Sequence, residues 1–152
     1  VIDLDDTDRA ILRALQEDAT LKAAELGRRL GVSQPVAWRR VRRLEEAGVI
    51  KGRRLDLDRE ALGFGVTVFL GIKLATHGRV SLADFERAVT AIPEVLTVQH
   101  VLGRYDYRLR VVAHDLADFE RVLRRRIMTL PGAGEVEANV VLSEERRPGP
   151  IG

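Results

Sequence analysis

The sequence predicts an α+β chain: an N-terminal helix-turn-helix of three short helices, followed by a ferredoxin-like βαββαβ domain. Three observations carry this. Apolar residues recur at helical spacing up to about residue 48 and at strand spacing from Phe64. The stretch Gly31-Val-Ser-Gln-Pro joins two helical patterns through a turn of three or four residues. Four alternating segments are then interleaved with two helical ones in the order β-α-β-β-α-β.

In the first helix, Asp5-Asp-Thr-Asp offers capping side chains and acids for the first turn, and Ile11, Leu12 and Leu15 give the apolar face. The second helix runs from about Lys22 to Leu30, with Ala23, Leu26 and Leu30 inward and a weak cap at Lys22. Gly31 suits the left-handed backbone of a tight corner. Ser33 caps the third helix, Pro35 sits where a missing N–H costs nothing, and Gly48 ends the run. Its stripe is Ala37, Val41 and Leu44. Residues 51–63 then read as a small wing or a linker strand.

In the C-terminal part, Val66, Val68, Leu70, Ile72 and Leu74 alternate with Thr67, Phe69, Gly71 and Lys73. Ser81 is expected to cap a helix with Leu82, Phe85, Val89 and Ile92 inward, ended by Pro93. Val95 to Leu102 forms a second strand, and Gly103-Arg-Tyr-Asp a turn. Tyr105, Tyr107, Leu109 and Val111 then alternate with Asp106, Arg108 and Arg110 in a third strand. His114-Asp115 opens a helix with Leu116, Phe119, Leu123 and Ile127 inward. Val136, Ala138, Val140 and Leu142 alternate in the fourth strand. The expected boundaries are 1–50, 51–63, 64–145 and a mobile tail, 146–152. One sheet face is left without a helix, and its mixed charges suit a self-complementary dimer.

Composition narrows the chemistry. The chain has 152 residues, a hydrophobic fraction of 45% and a formal charge of +2. That charge is unevenly placed: residues 1–27 carry net −4 and residues 28–54 net +7. A basic segment of this kind is the footprint of a nucleic-acid binder. The absence of cysteine excludes disulfides, thiolate metal sites and a cysteine nucleophile. His77, His100 and His114 are scattered, so no metal is assigned, and no phosphate loop or catalytic triad pattern points to an enzyme. The acidic start and the lack of a membrane-length apolar run lead to the expectation of a soluble cytoplasmic protein with no membrane partner.

Candidate DNA contacts lie off the buried stripe of the third helix: Ser33, Gln34, Pro35, Trp38, Arg39, Arg40, Arg42 and Arg43. N-terminal residues of a recognition helix meet base edges; Gln34 pairs with adenine and Arg39 with guanine. Arg43, Lys51, Arg53 and Arg54 are better placed for phosphates. For Arg42 and Arg43 the competing reading is a helical pair with Glu45 or Glu46. Trp38 either packs on a neighbouring helix or meets a thymine methyl or sugar. Gly103, Arg104, Tyr105 and Asp106 form a second cluster. Free backbone N–H groups beside a carboxylate suit an amino-acid zwitterion, and the competing reading is a structural hairpin in which Asp106 bonds its own backbone. Leu102 and Tyr107 belong either to that pocket or to the core.

The chain resembles the Lrp/AsnC (feast/famine) family of transcription regulators. The resemblance is carried by Leu4-Asp-Asp-Thr-Asp-Arg-Ala-Ile-Leu, Glu25-Leu with Leu30-Gly-Val-Ser, Arg40-Val-Arg-Arg-Leu-Glu-Glu-Ala-Gly-Val-Ile, Gly103-Arg-Tyr-Asp-Tyr, and Leu130-Pro-Gly with Val140-Val-Leu. It implies a winged helix-turn-helix and a C-terminal domain that dimerises, often builds octamers, and binds a small effector, commonly an amino acid. Double-stranded DNA, a second copy and that effector are the implied partners, with no other cofactor. Many members place small hydroxyl residues at the positions of Val136 and Ala138, near the effector in some relatives. Lys22 likewise stands where many have Ser or Thr. The rival class is a ferredoxin-like small-molecule-binding or enzymatic domain whose helices only mediate assembly. The basic third helix argues against it.

Overall fold

The computed structural model describes residues 2–75, 82–147 and 149–152. The chain forms two compact units, Val1–Asp56 with Glu145–Gly152, and Leu57–Glu144.

The first unit contains α1 (Asp6–Glu17), α2 (Ala23–Leu30) and α3 (Gln34–Glu46). Asp5 caps α1 through a reciprocal box: its carboxylate accepts from the Asp8 N–H at 2.8 Å, and Asp8 accepts from the Asp5 N–H at 3.3 Å. Helix α2 starts at Lys22 with no side-chain cap, as its sequence suggests, and closes on Gly31 at φ 69°. Ser33 caps α3 by accepting from the Val36 N–H at 3.4 Å. Ile11, Leu15, Leu26, Ala37 and Leu44 make the core of this unit. Each large aliphatic side chain fully buried there contributes on the order of 1.5–3 kcal/mol.

Two stretches outside the helices bear on the sequence expectation. Among the described residues, 51–58 belong to no strand, because the chain offers them no ladder partner. Residues 59–63 form a turn, with the Asp58 carboxylate accepting from the Glu60 and Ala61 N–H groups. The tail expected to be mobile is bonded to α1. The Gln16 amide donates to the Ile151 carbonyl at 2.8 Å and accepts from the Ile151 N–H at 2.9 Å. Arg13 donates to the Gly152 carbonyl at 3.2 Å.

The second unit contains β1 (Val66–Leu74), α4 (Leu82–Thr90), β2 (Val95–His100), β3 (Tyr107–Ala113), α5 (Leu116–Val122) and β4 (Ala133–Val140). The strands form one antiparallel sheet in the order β2-β3-β1-β4, the ferredoxin-like arrangement. Val68, Leu70, Ile72, Tyr107, Leu109 and Val111 meet Phe85, Val89, Phe119 and Ile127 in the core on one face. The opposite face carries Thr67, Phe69, Gly71, Lys73, Arg108, Arg110 and Glu137, as the alternation requires.

Five details differ from the sequence expectation. Leu82 and Leu116 are exposed, since each begins its helix at the margin of the core. Strand β3 starts at Tyr107, so Tyr105 is not one of its residues. Strands β2 and β4 end two residues early, at His100 and Val140, leaving Leu102 and Leu142 in solvent. Helix α5 continues into a π-helical turn, Leu123–Ile127, where the Met128 N–H donates to the Leu123 carbonyl. That extra residue brings Phe119, Val122 and Ile127 inward at gaps of three and five, and leaves Leu123 only partly buried. The Ser81 cap and His77 lie outside the described residues.

Candidate DNA interface and effector cleft

The arginines of α3 have two distinct environments. Arg39 is exposed and makes no hydrogen bond or ion pair among the described residues. Gln34, Pro35 and Trp38 are also exposed, Trp38 by 52%. Ser33 is exposed too, with its hydroxyl engaged as the cap. Arg40 instead donates to Asp5 at 2.7 Å and to Asp8 at 3.1 Å. Arg43 donates to Asp8 at 3.0 Å and to the Asp3 carbonyl at 2.8 Å. Arg42 pairs with Glu46 at 3.3 Å and stacks over the Trp38 ring at 5.6 Å. The helical pair read for Arg42 is present with Glu46, and the ring contact of Trp38 is with Arg42 of its own helix, while Arg43 pairs with acids of α1 and its leader rather than with Glu45 or Glu46.

Asp8 is the residue that sequence reasoning missed. It is 1% exposed and the one buried charged side chain among the described residues. Its carboxylate holds both Arg40 and Arg43, which makes burial affordable. The signal was present: Asp8, Ile11 and Leu15 stand at i, i+3 and i+7, so Asp8 shares the buried stripe. The hydrogen bonds from Arg40 hold the Asp5 carboxyl below the ordinary carboxylate value. Lys51, Arg53 and Arg54 are exposed in the segment after α3 and make no ion pair among the described residues.

In the second unit, Asp106 is an anchor. Its carboxylate accepts from the Leu74 N–H at 2.7 Å, its own N–H donates to the Ile72 carbonyl at 2.9 Å, and its carbonyl accepts from Val101 at 3.0 Å. These bonds tie the loop 101–106 to the end of β1. The competing reading has Asp106 bonding its own backbone; its carboxylate instead holds the Leu74 N–H of β1, while the Val101 bond closes the loop itself. The loop folds Tyr105 over the open sheet face, where a Cβ on Gly71 would stand 2.7 Å from its ring. Glycine at 71 is therefore required by close approach. Arg104 lies over the Tyr105 ring at 5.4 Å and pairs with Glu135 at 3.3 Å. Burial, then a hydrogen bond to Glu137, raises the Tyr105 phenol above its ordinary value.

A cleft of about 290 Å³ lies there, lined by Phe69, Gly71, Gly103, Arg104, Tyr105, Arg108, Glu137 and Asn139, among others. It brings together Gly103, Arg104 and Tyr105 of the sequence candidates. Asp106 and Leu102 are outside the lining, and Leu102 is fully exposed. Val136 and Ala138 pair with Ile72 and Leu70 and so lie on the helix-facing side. Tyr107 borders this cleft, and its side chain is fully buried in the core, as the second of its readings has it. Phe69, Arg108, Glu137 and Asn139 were not among the sequence candidates. Strand parity places them: partners of 69 and 71 on β4 are 139 and 137, not 136 and 138.

An exposed helix after a helix-turn-helix corner on one unit and a cleft on the ferredoxin-like sheet of the other are the features that known proteins share. Residues 4–51 match the winged helix-turn-helix DNA-binding family, and residues 67–151 match the Lrp/AsnC ligand binding domain. The chain belongs to the Lrp/AsnC family of transcriptional regulators. It is 33% identical to the DNA-binding transcriptional activator DecR of Escherichia coli, over 93% of each chain. Its structure resembles that of a Neisseria meningitidis transcriptional regulator in complex with L-methionine (TM-score 0.90, 28% identity, 95% and 94% of the two chains). It also resembles a feast or famine regulatory protein of M. tuberculosis complexed with L-methionine (TM-score 0.88, 29% identity, 95% and 96%). No helix among the described residues is long and apolar enough to cross a membrane.

Proposed function

We propose that α3 reads the major groove through its N-terminal half, with Gln34 and Arg39 meeting base edges and Pro35 and Trp38 packing beside them. The observation that carries this reading is the division among the arginines. Arg39 is exposed and has no partner among the described residues, whereas Arg40 and Arg43 are held by Asp5 and Asp8. Arg40 and Arg43 then position the helix, and Lys51, Arg53 and Arg54 supply phosphate contacts. Arg42 serves through Trp38, holding the indole at the DNA-facing edge.

Two copies associate through the open sheet faces, pairing Arg108 and Arg110 with carboxylates such as Glu137 of the other copy. A single recognition helix binds weakly, and the dimer supplies its second half-site; octamers extend the same logic. A small amino acid acts as the effector in the cleft beside Gly103, Arg104 and Tyr105. It shifts DNA binding by preferring one arrangement of the assembly. The chain is a regulator without catalytic activity and acts in the cytoplasm.

The test is duplex affinity measured across salt concentration. If several cations displace counterions, the logarithm of affinity falls linearly with the logarithm of salt, with a slope of about −0.9 per phosphate contacted. Affinity independent of salt removes the DNA reading.

A further inference from the structure

A second cleft, of about 510 Å³, lies within the N-terminal unit between α1, the segment after α3, and the bonded tail. Its floor includes Leu12, Leu15, Ile50 and Ile151. Its remaining surface carries Arg9, Lys51, Arg53 and Arg54, and none of the side chains lining it is a carboxylate. None of these four cationic side chains has a hydrogen bond or ion pair among the described residues. Arg28, Arg29, Arg40, Arg42 and Arg43 of the same unit have acidic partners, whereas Arg39 on α3 shares with the four of the cleft the lack of one among the described residues.

An apolar floor beside four cationic side chains suits a ligand with an apolar tail and an anionic head. We infer that this cleft binds an amphipathic carboxylate, a medium-length acyl chain lying on Leu12 and Ile50 with its head group against Arg53 and Arg54. The volume is in the range of small-molecule sites. Guanidinium groups match a carboxylate in a two-pronged geometry, and the floor gains from each methylene it covers. The Gln16–Ile151 clamp forms one wall, so the tail holds the site closed on that side. Lys51, Arg53 and Arg54 are also the proposed phosphate contacts; competition between this ligand and DNA rests on that reading, whereas binding itself does not.

Calorimetry on the DNA-free protein tests the site separately from DNA binding. Octanoate should bind, octanol should bind at least tenfold more weakly, and acetate should give no heat. Lengthening the chain from hexanoate to octanoate should raise affinity by up to about fourfold per methylene, the equivalent of about 0.8 kcal/mol for a buried CH₂. Ala19→Trp, which places an indole in the cleft from an exposed position, should abolish binding. The surface double variant Arg53→Glu with Arg54→Glu should reduce it at least tenfold, and covers the case in which Ala19→Trp fails to fold. Equal affinity for octanol, no dependence on chain length, or octanoate binding unchanged in the folded variants overturns the inference.

Discussion

Arg43 of the third helix donates to the buried carboxylate of Asp8 on the first at 3.0 Å. This bond joins two positions 35 residues apart and sets how α3 is presented. Asp8 also completes the cap of its own helix, so one side chain serves the start of α1 and the seating of α3. Asp8→Ala is expected to destabilise the N-terminal unit by about 1–3 kcal/mol, from the lost cap and the lost charged hydrogen bonds. Urea unfolding followed by Trp38 fluorescence measures it. A change within experimental scatter of zero would show that the bonds are idle.

The same cluster gives an acid dependence. Arg40 holds the Asp5 carboxyl below the value it has in the unfolded chain. A depressed folded-state value means that the contribution is complete above the unfolded value and is lost as pH falls through the folded one. Stability of the N-terminal unit should therefore decline as pH drops below the ordinary carboxylate range. In Arg40→Gln the Asp5 carboxyl should titrate at higher pH than in the parent. Carbon-detected NMR titration reads both, and an unmoved Asp5 titration in the variant would remove Arg40 as the cause.

At the alkaline end the controlling group is in the other unit. Burial, then the hydrogen bond to Glu86 at 2.5 Å, pushes the Tyr107 phenol up to about 12. A raised value favours the neutral phenol in the fold. Its contribution is complete below the unfolded tyrosine value, about 10, and is lost as pH rises from there through the folded value. Tyr107→Phe should cost about 0.5–1.5 kcal/mol at neutral pH and flatten the alkaline loss. A denaturation series across pH checks it, and an identical alkaline slope in the variant would assign that loss to other groups.

Gly71 is the seat of Tyr105. A side chain at 71 meets the ring at a distance no packing tolerates, so Gly71→Val should lift Tyr105 from the sheet and open the 290 Å³ cleft. Thermal-shift screening of the amino acids should then find any stabilising effector of the parent protein weakened at least tenfold in the variant. Retained affinity would place the effector away from this cleft.

The backbone plan of both units was legible because it rests on periodicity. Alternation along Val66–Leu74 and the stripe Ala37, Val41 and Leu44 each assign a face without knowledge of a partner. The cleft was half legible. Gly103, Arg104 and Tyr105 are contiguous and were found, whereas Phe69, Arg108, Glu137 and Asn139 come from three strands that only the register brings together. Tyr105 misled because its alternation with Tyr107 suggested a strand, while the bonds of Asp106 to β1 begin a different path. The π-helical turn and the return of Ile151 to Gln16 depend on contacts that no local pattern encodes. The different pairing of Arg39, Arg40 and Arg43 was hidden for the same reason: like residues on one helix differ only in the acids that α1 and the residues before it present to them.

The division of labour proposed for Arg39, Arg40 and Arg43 is the central claim, and Arg39→Ala tests it most directly. Binding is measured for the parent and the variant on a duplex selected from a random library by the parent, and on an unselected duplex of equal length and salt. The expected result is a loss of about 1–3 kcal/mol on the selected duplex with relaxed preference at one base pair, and little change on the unselected one. Equal losses on both duplexes would contradict it, reducing Arg39 to one more phosphate contact.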